Sequence, residues 1–365
     1  MRILRWLGLA LVVGVGLLFA LGRPVPWAEA ALMMWDVAAG GQPTLWQEVT
    51  AKPSEGVARW ADGEGDVYTP ASEVRAALVL VPGAAVLGRD EPRLKALARS
   101  FARAGFVVLV PELPEVRRLA LSRLDADRVA SALRQLRRWQ PHQPLGVAAV
   151  SYAVAPAIIA ALEEAPAFVV GIGGYRDAEA AIRFVTTGVF RPLDDSREFR
   201  VAPNRYGRWA FLLANAGRLD DPNDAYTLQL IAHARLRDPG AGVQPLVARL
   251  GPQARTVLAL VENRDPDEVT GLVAALPERV RREIDGLNLA LHDLSKLRGH
   301  LILVHGRTDP VIPYSESQAL AAAATKAQVS LFLVDEIGHV DFNAVTAANA
   351  VKIWQAVDVL LGERR

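Results

Sequence analysis

The stretch Leu145–Leu162, LGVAAVSYAVAPAIIAAL, decides how the chain is read. Leu145–Val150 has the length and β-branched content of a strand buried on both faces, and Tyr152–Glu164 is too rich in alanine to be anything but a helix. A single hydroxyl, Ser151, stands at the break. A strand that becomes a helix within one residue must turn a tight, strained corner, and the positions two residues to either side must be small so that the backbones can pass. Ala149 and Ala153 fill those positions. Such a corner presents the Ser151 oxygen at the carboxyl edge of a sheet and points the start of a helix at any negative charge that forms there.

Two later stretches have a matching form. Leu301–Tyr314, LILVHGRTDPVIPY, reads as a buried strand ending in a loop with Asp309, and Val329–Phe342, VSLFLVDEIGHVDF, as a strand ending in a loop with His339. Serine is a poor nucleophile at its own pKa and needs an adjacent base, which in turn needs a group to hold its tautomer. The order Ser, Asp, His, each past the end of its own strand, and the A-x-S-x-A corner in place of G-x-S-x-G, resemble the α/β-hydrolase superfamily. The resemblance covers most of the chain from Gly56 onward. It implies Ser151 as nucleophile, His339 as base and Asp309 as orienting acid, the last within HGRTDPVIPY, which matches the family's acid loop. Asp177 is the alternative acid. The backbone N–H groups of Tyr152 and Ala84 would stabilise the oxyanion. In the loop Val81–Gly88, VPGAAVLG, Pro82-Gly83 stands where many relatives have His-Gly. His305 reads as structural, His142, His233, His292 and His300 as remote, and Asp335 and Asp341 as ordinary loop carboxylates.

Around this frame the chain alternates strand and helix: strands over Arg75–Gly83 and Phe106–Pro111, helices over Glu91–Ala104 and Asp125–Trp139, and a further strand over Ala167–Ile172. From Gly173 to about Lys296 no convincing strand appears, only helical stretches, which resemble the cap many α/β-hydrolases carry. The expected fold class is therefore α/β, a mostly parallel sheet with helices on both faces, plus an inserted all-helical cap. The segments are 1–30, an anchor or signal; 31–55, a tether; 56–174 and 298–365, the two parts of the core; and 175–297, the cap. Gly56–Pro70 reads as an edge hairpin.

Met1–Gly22 opens with Arg2 and Arg5 and continues uncharged from Trp6 to Gly22. It fits an uncleaved membrane helix with Trp6 and Trp27 at the interfaces, or a cleaved signal using Ala28-Glu29-Ala30; a buried core helix is the third reading. The spacer with Pro24 and Pro26 is long for a cleavage region and favours the anchor. Both membrane-directed readings put the remainder outside the cytoplasm, either held at the cell membrane or free in the periplasm.

The totals exclude several classes. A net charge of +1 over 365 residues leaves no electrostatic case for a nucleic-acid partner. The absence of cysteine excludes disulfides, thiolate metal sites and a cysteine nucleophile. Gly171–Gly174, GIGG, lacks the rest of a dinucleotide fingerprint and reads as a tight strand exit, while Asp220, Asp221 and Asp224 read as a helix N-terminus. No metal and no organic cofactor are expected. The expected activity is that of a serine hydrolase on a small or medium carboxylic ester, with a lipid-derived ester suiting an apolar cap near a bilayer. No basic motif marks a charged substrate. Because both elbow glycines and the oxyanion-loop histidine are replaced, the alternative is a membrane-tethered binding protein that keeps the fold without catalysis.

Overall fold

The computed structural model describes residues 25–202, 204, 206–335, 338 and 347–364. The expected anchor over Met1–Gly22 lies outside them, and among the described residues no helix is long and apolar enough to cross a membrane. Two helices, α1 (Val25–Ala38) and α2 (Leu45–Val49), precede the hairpin β1 (Ser54–Trp60) and β2 (Gly63–Thr69). Strand and helix then alternate through β3 (Ala76–Val81), α3 (Pro92–Arg103), β4 (Phe106–Pro111), α4 (Leu124–Trp139), β5 (Leu145–Val150), α5 (Val154–Glu164) and β6 (Phe168–Ile172). An excursion follows: α6 (Ala178–Thr187), the short strands β7 (Val189–Phe190) and β8 (Phe199–Arg200), α7 (Gly207–Asn215), α8 (Pro222–Arg237), α9 (Pro252–Glu262), α10 (Val269–Ala274) and α11 (Glu278–Gly286). The sheet resumes with β9 (His300–Gly306), α12 (Ser315–Ala323), β10 (Gln328–Val334) and the closing helix α13 (Ala347–Gly362).

Eight strands form one sheet in the order β1-β2-β4-β3-β5-β6-β9-β10. The pairs β1/β2 and β2/β4 are antiparallel, and all the others are parallel. Parallel neighbours require crossover connections, so helices cover both faces and each central strand is buried on both sides. β3 shows the consequence: Ala77, Val79 and Val81 enter one core, while Ala76, Leu78 and Leu80 enter the other. The first core is completed by Val129, Leu133 and Leu136 of α4 and Ile158 of α5, the second by Ala98 and Phe101 of α3 and Leu360 of α13.

Within the stretch expected as a tether over 31–55, the remainder of α1 and the whole of α2 are helical and docked. Met33 and Trp46 are buried, and the Thr44 hydroxyl both accepts from the Gln47 N–H at the start of α2 and donates to Asp36 Oδ1. The Glu29 carboxylate takes a two-pronged bond from Arg364, at 2.6 and 2.7 Å, and Trp354 Nε1 donates to the Trp27 carbonyl at 2.9 Å. These partners lie more than 300 positions away along the chain, so no local periodicity announces the packing.

The excursion carries a core of its own, built from Trp209, Leu212, Leu228, Ile231 and Leu258. α9 begins at Pro252, a first-turn proline, directly after Gly251, which gives its N–H to Asp224 Oδ1 at 2.8 Å. The β7/β8 pair was not anticipated by the sequence pattern; two residues per strand are too few to show a period.

Candidate active site

β5 ends at Val150 and the chain turns at once through a single 3₁₀ turn, Ser151–Ala153, into α5. Ser151 adopts φ +57°, a left-handed conformation that an L-residue holds only where its surroundings enforce it. The enforcement is visible. Ala149 and Ala153, flanking the corner, are essentially inaccessible, and a side chain any larger would meet the packed helix and sheet. One strand over, Pro82-Gly83-Ala84 leaves β3 so close that a Cβ on Gly83 would lie 3.2 Å from the Val150 carbonyl oxygen. An antiparallel edge hairpin, six strands in parallel, a long helical insertion after β6 and a strained serine at the end of β5 belong to one architecture. The chain has the α/β-hydrolase fold.

Comparison with solved structures finds chains of low identity. An acylaminoacyl peptidase from Pyrococcus horikoshii is 12% identical with a TM-score of 0.49, over 86% of this chain and 42% of that one. A hormone-sensitive lipase from a metagenome library is 13% identical with a TM-score of 0.49, over 86% of each chain. An α/β hydrolase superfamily protein from Enterococcus faecalis is 15% identical with a TM-score of 0.46, over 85% and 99%. The chain thus spans less than half the length of the acylaminoacyl peptidase. At these identities the likeness is one of backbone, and the strand order carries the assignment by itself. No protein-family profile and no curated protein matches the sequence.

Asp309 follows β9 and is almost wholly buried. Its Oδ1 accepts the N–H groups of Val311, at 2.7 Å, and Ile312, at 3.0 Å, which fixes the carboxylate and shapes the loop. Oδ2 lies 3.5 Å from His305 Nε2. That imidazole is committed to the fold: Nε2 stands 2.9 Å from the Ile312 carbonyl and so carries the proton, leaving Nδ1 to accept from the Ser317 hydroxyl at 2.7 Å. The structural reading of His305 agrees with this arrangement. His300 is likewise engaged, between Glu363 and Ser330. Asp177, the alternative acid, caps α6 by accepting from Glu179 and Ala180. Its own N–H and that of Arg176 are held by Glu316 Oε2, at 2.7 and 3.0 Å. Burial pushes the Glu316 carboxyl up to about 7. His339 and Asp341 lie outside the described residues. Among the described residues, no cluster of three or more His, Asp or Glu side chains is placed to hold a metal ion.

Ser151, Tyr152 and Ala84 line one cavity of about 410 Å³ between the sheet edge and the helical insertion, and Val311 and Ile312 from the Asp309 loop line it too. The rest of its wall is overwhelmingly aliphatic, supplied by α6, α7, α9 and α11. The Tyr152 side chain turns inward: its hydroxyl accepts the Ser122 N–H at 2.9 Å and donates to Asp125 Oδ2 at 3.1 Å. Burial raises the Asp125 carboxyl to about 6, against the lowering pull of Tyr152 and Arg128. The position of Tyr152 was read from the sequence, whereas its partner was not; Asp125 looked like an ordinary acidic residue in the first turn of α4. Arg208 was missed as well. It is the one charged side chain among the described residues lining the cavity, and no motif around it in GRWAFLLAN marks it.

Proposed function

We propose that the protein is a serine hydrolase that cleaves a carboxylic ester through an acyl-enzyme on Ser151. What carries the reading is the φ +57° corner at Ser151, a strained conformation maintained at the wall of an aliphatic cavity of ligand size. In this scheme Ser151 Oγ bonds to the ester carbonyl carbon while His339 takes its proton. The Tyr152 and Ala84 N–H groups receive the charge that develops on the carbonyl oxygen. His339 returns the proton to the departing alkoxide as the ester C–O bond breaks. Water then repeats the sequence on the acyl-enzyme and releases the acid. Asp309, held by two backbone N–H groups, would orient the His339 ring.

The cavity favours an ester over a peptide, because an aliphatic wall offers no spaced donors and acceptors for an extended backbone. The apolar run Trp6–Gly22 suits a chain held at a membrane with the catalytic part outside the cytoplasm, within reach of lipid-derived esters. A fluorophosphonate probe applied to the full chain tests the chemistry. Labelling of wild type that is lost in Ser151→Ala and in His339→Ala is expected. Folded wild type that takes no label would instead favour a binding protein that has kept the fold. A series of p-nitrophenyl esters of rising acyl length would separate ester from amide hydrolysis when run beside the matched anilides.

A further inference from the structure

Arg208 sits in the first turn of α7, on the insertion side of the cavity. Its Nε and Nη1 are inaccessible to solvent and have no hydrogen-bond partner among the described residues. A buried guanidinium nitrogen left unpaired costs more than a neutral donor would, so this arrangement is expensive unless something else completes it. Its neighbours do not. The guanidinium carbon stacks 5.4 Å from the Trp209 ring, and Arg235 approaches the same ring at 5.8 Å from its centre. Arg264, which reaches the carbonyl of the cavity-lining Thr186, adds a further positive charge. Among the described residues the carboxylate acting on Arg208 is Glu262, and Arg235 already pairs with it at 3.5 Å. Burial and the adjacent arginines pull Arg208 down to about 10, still charged at neutral pH.

Three other polar side chains of the cavity wall are engaged elsewhere in the fold. Asn215 Oδ1 accepts the Leu121 N–H at 3.0 Å and its Nδ2 donates to the Phe211 carbonyl at 2.8 Å. The Thr186 hydroxyl donates to Ile182, and the Tyr152 hydroxyl is held by Ser122 and Asp125. Among the described residues lining the chamber, Arg208 carries the one full charge, and two of its nitrogens have no partner.

We propose that Arg208 selects the substrate: an ester whose apolar body bears a second, anionic oxygen group, a carboxylate or a phosphate, which pairs with the guanidinium on the insertion side while the ester lies at Ser151. The ester half of this statement rests on the proposed hydrolase activity, and the anion half does not. Arg208 acts here on binding and orientation, by offering a charged planar fork to an oxygen pair.

The test separates the two halves by using binding without turnover. In the full-length Ser151→Ala chain, calorimetry would compare octanoate, octyl phosphate and octanol, all below their micelle concentrations. One or both anions should bind roughly ten- to a hundredfold more tightly than the alcohol. The carboxylate and phosphate arms show which oxygen group the site prefers. In Ser151→Ala/Arg208→Met the ratio of anion to alcohol affinity should fall to near one, and Arg208→Lys should restore part of it. Because the ratio is taken within one protein, partial loss of folded material does not disturb it. Equal binding of anions and alcohol by the Arg208 protein would overturn the proposal. So would a preference that survives Arg208→Met, since the anion would then be seated at the oxyanion donors. Absence of fluorophosphonate labelling would remove the ester assignment and leave the anion preference to be judged on its own result.

Discussion

Tyr152 and Asp125 are joined by a buried hydrogen bond of 3.1 Å, and this bond ties the residue after Ser151 to the start of α4. Tyr152 is the residue whose N–H is assigned to the oxyanion, so its side-chain anchor sets the position of its backbone. Tyr152→Phe would leave the Ser122 N–H and the Asp125 carboxylate each short of a partner, at a cost of about 1–3 kcal/mol. We expect kcat on a p-nitrophenyl ester to fall roughly tenfold with KM little changed, as for a donor displaced from the transition state. A larger effect on KM than on kcat would argue that the pair shapes the cavity and not the elbow.

Ser151 stores strain. Ser151→Gly removes the Cβ that makes φ +57° costly, and the variant should be more stable by about 1 kcal/mol while losing all hydrolysis. Urea unfolding of Ser151→Gly beside Ser151→Ala separates the conformational gain from the loss of the hydroxyl. Equal midpoints for the two variants would mean that the corner is not strained.

Glu316 couples the acid-loop side of the sheet to the first turn of the insertion, and its carboxyl is raised by burial from the ordinary 4.5 to about 7. Between those pH values the folded protein holds a proton that the unfolded chain has released. The contribution of this group therefore falls as pH rises from about 4.5 to 7, by on the order of 3 kcal/mol, and is flat outside that window. Glu316→Gln lacks the titration. Measured by urea unfolding at pH 5 and pH 8, wild type should gain stability relative to the variant on acidification, and a difference independent of pH would contradict the burial argument.

Glu29 neutralises Arg364, which is nearly inaccessible and also donates to the Ala104 carbonyl. Glu29→Ala leaves that charge buried without its partner, and we expect a loss of about 3 kcal/mol in urea unfolding, since Glu29 itself keeps some solvent contact. Removal of residues 1–30 by cleavage would carry the same penalty. A chain beginning after Ala30 that unfolds at the wild-type urea concentration would show that the Glu29–Arg364 pair contributes nothing to stability.

The central strands were legible in the sequence, because a strand buried on both faces is a continuous apolar run with nothing to confuse it: Phe106–Pro111 and Leu145–Val150 fall where the pattern puts them. The positions of Ser151 and Asp309 just past β5 and β9 were legible for a related reason, since strand ends can be read from composition. His339 was named by the same logic and lies outside the described residues. The docking of α1 could not be read. Its partners, Arg364 and Trp354, are at the other end of the chain, and local pattern is blind to contacts of that separation.

By itself the sequence determined the class of fold, the corner at Ser151 and the absence of any thiol chemistry, because each follows from residue type within a few positions. Only the tertiary structure decided that Tyr152 leans on Asp125, that Glu316 holds the start of α6, and that Arg208 faces an aliphatic chamber without a partner. An arginine in a helix is ordinarily a solvated residue. What sets this one apart is that two of its nitrogens are buried with no acceptor among the described residues, and that is a property of how distant segments pack, not of the segment that carries it.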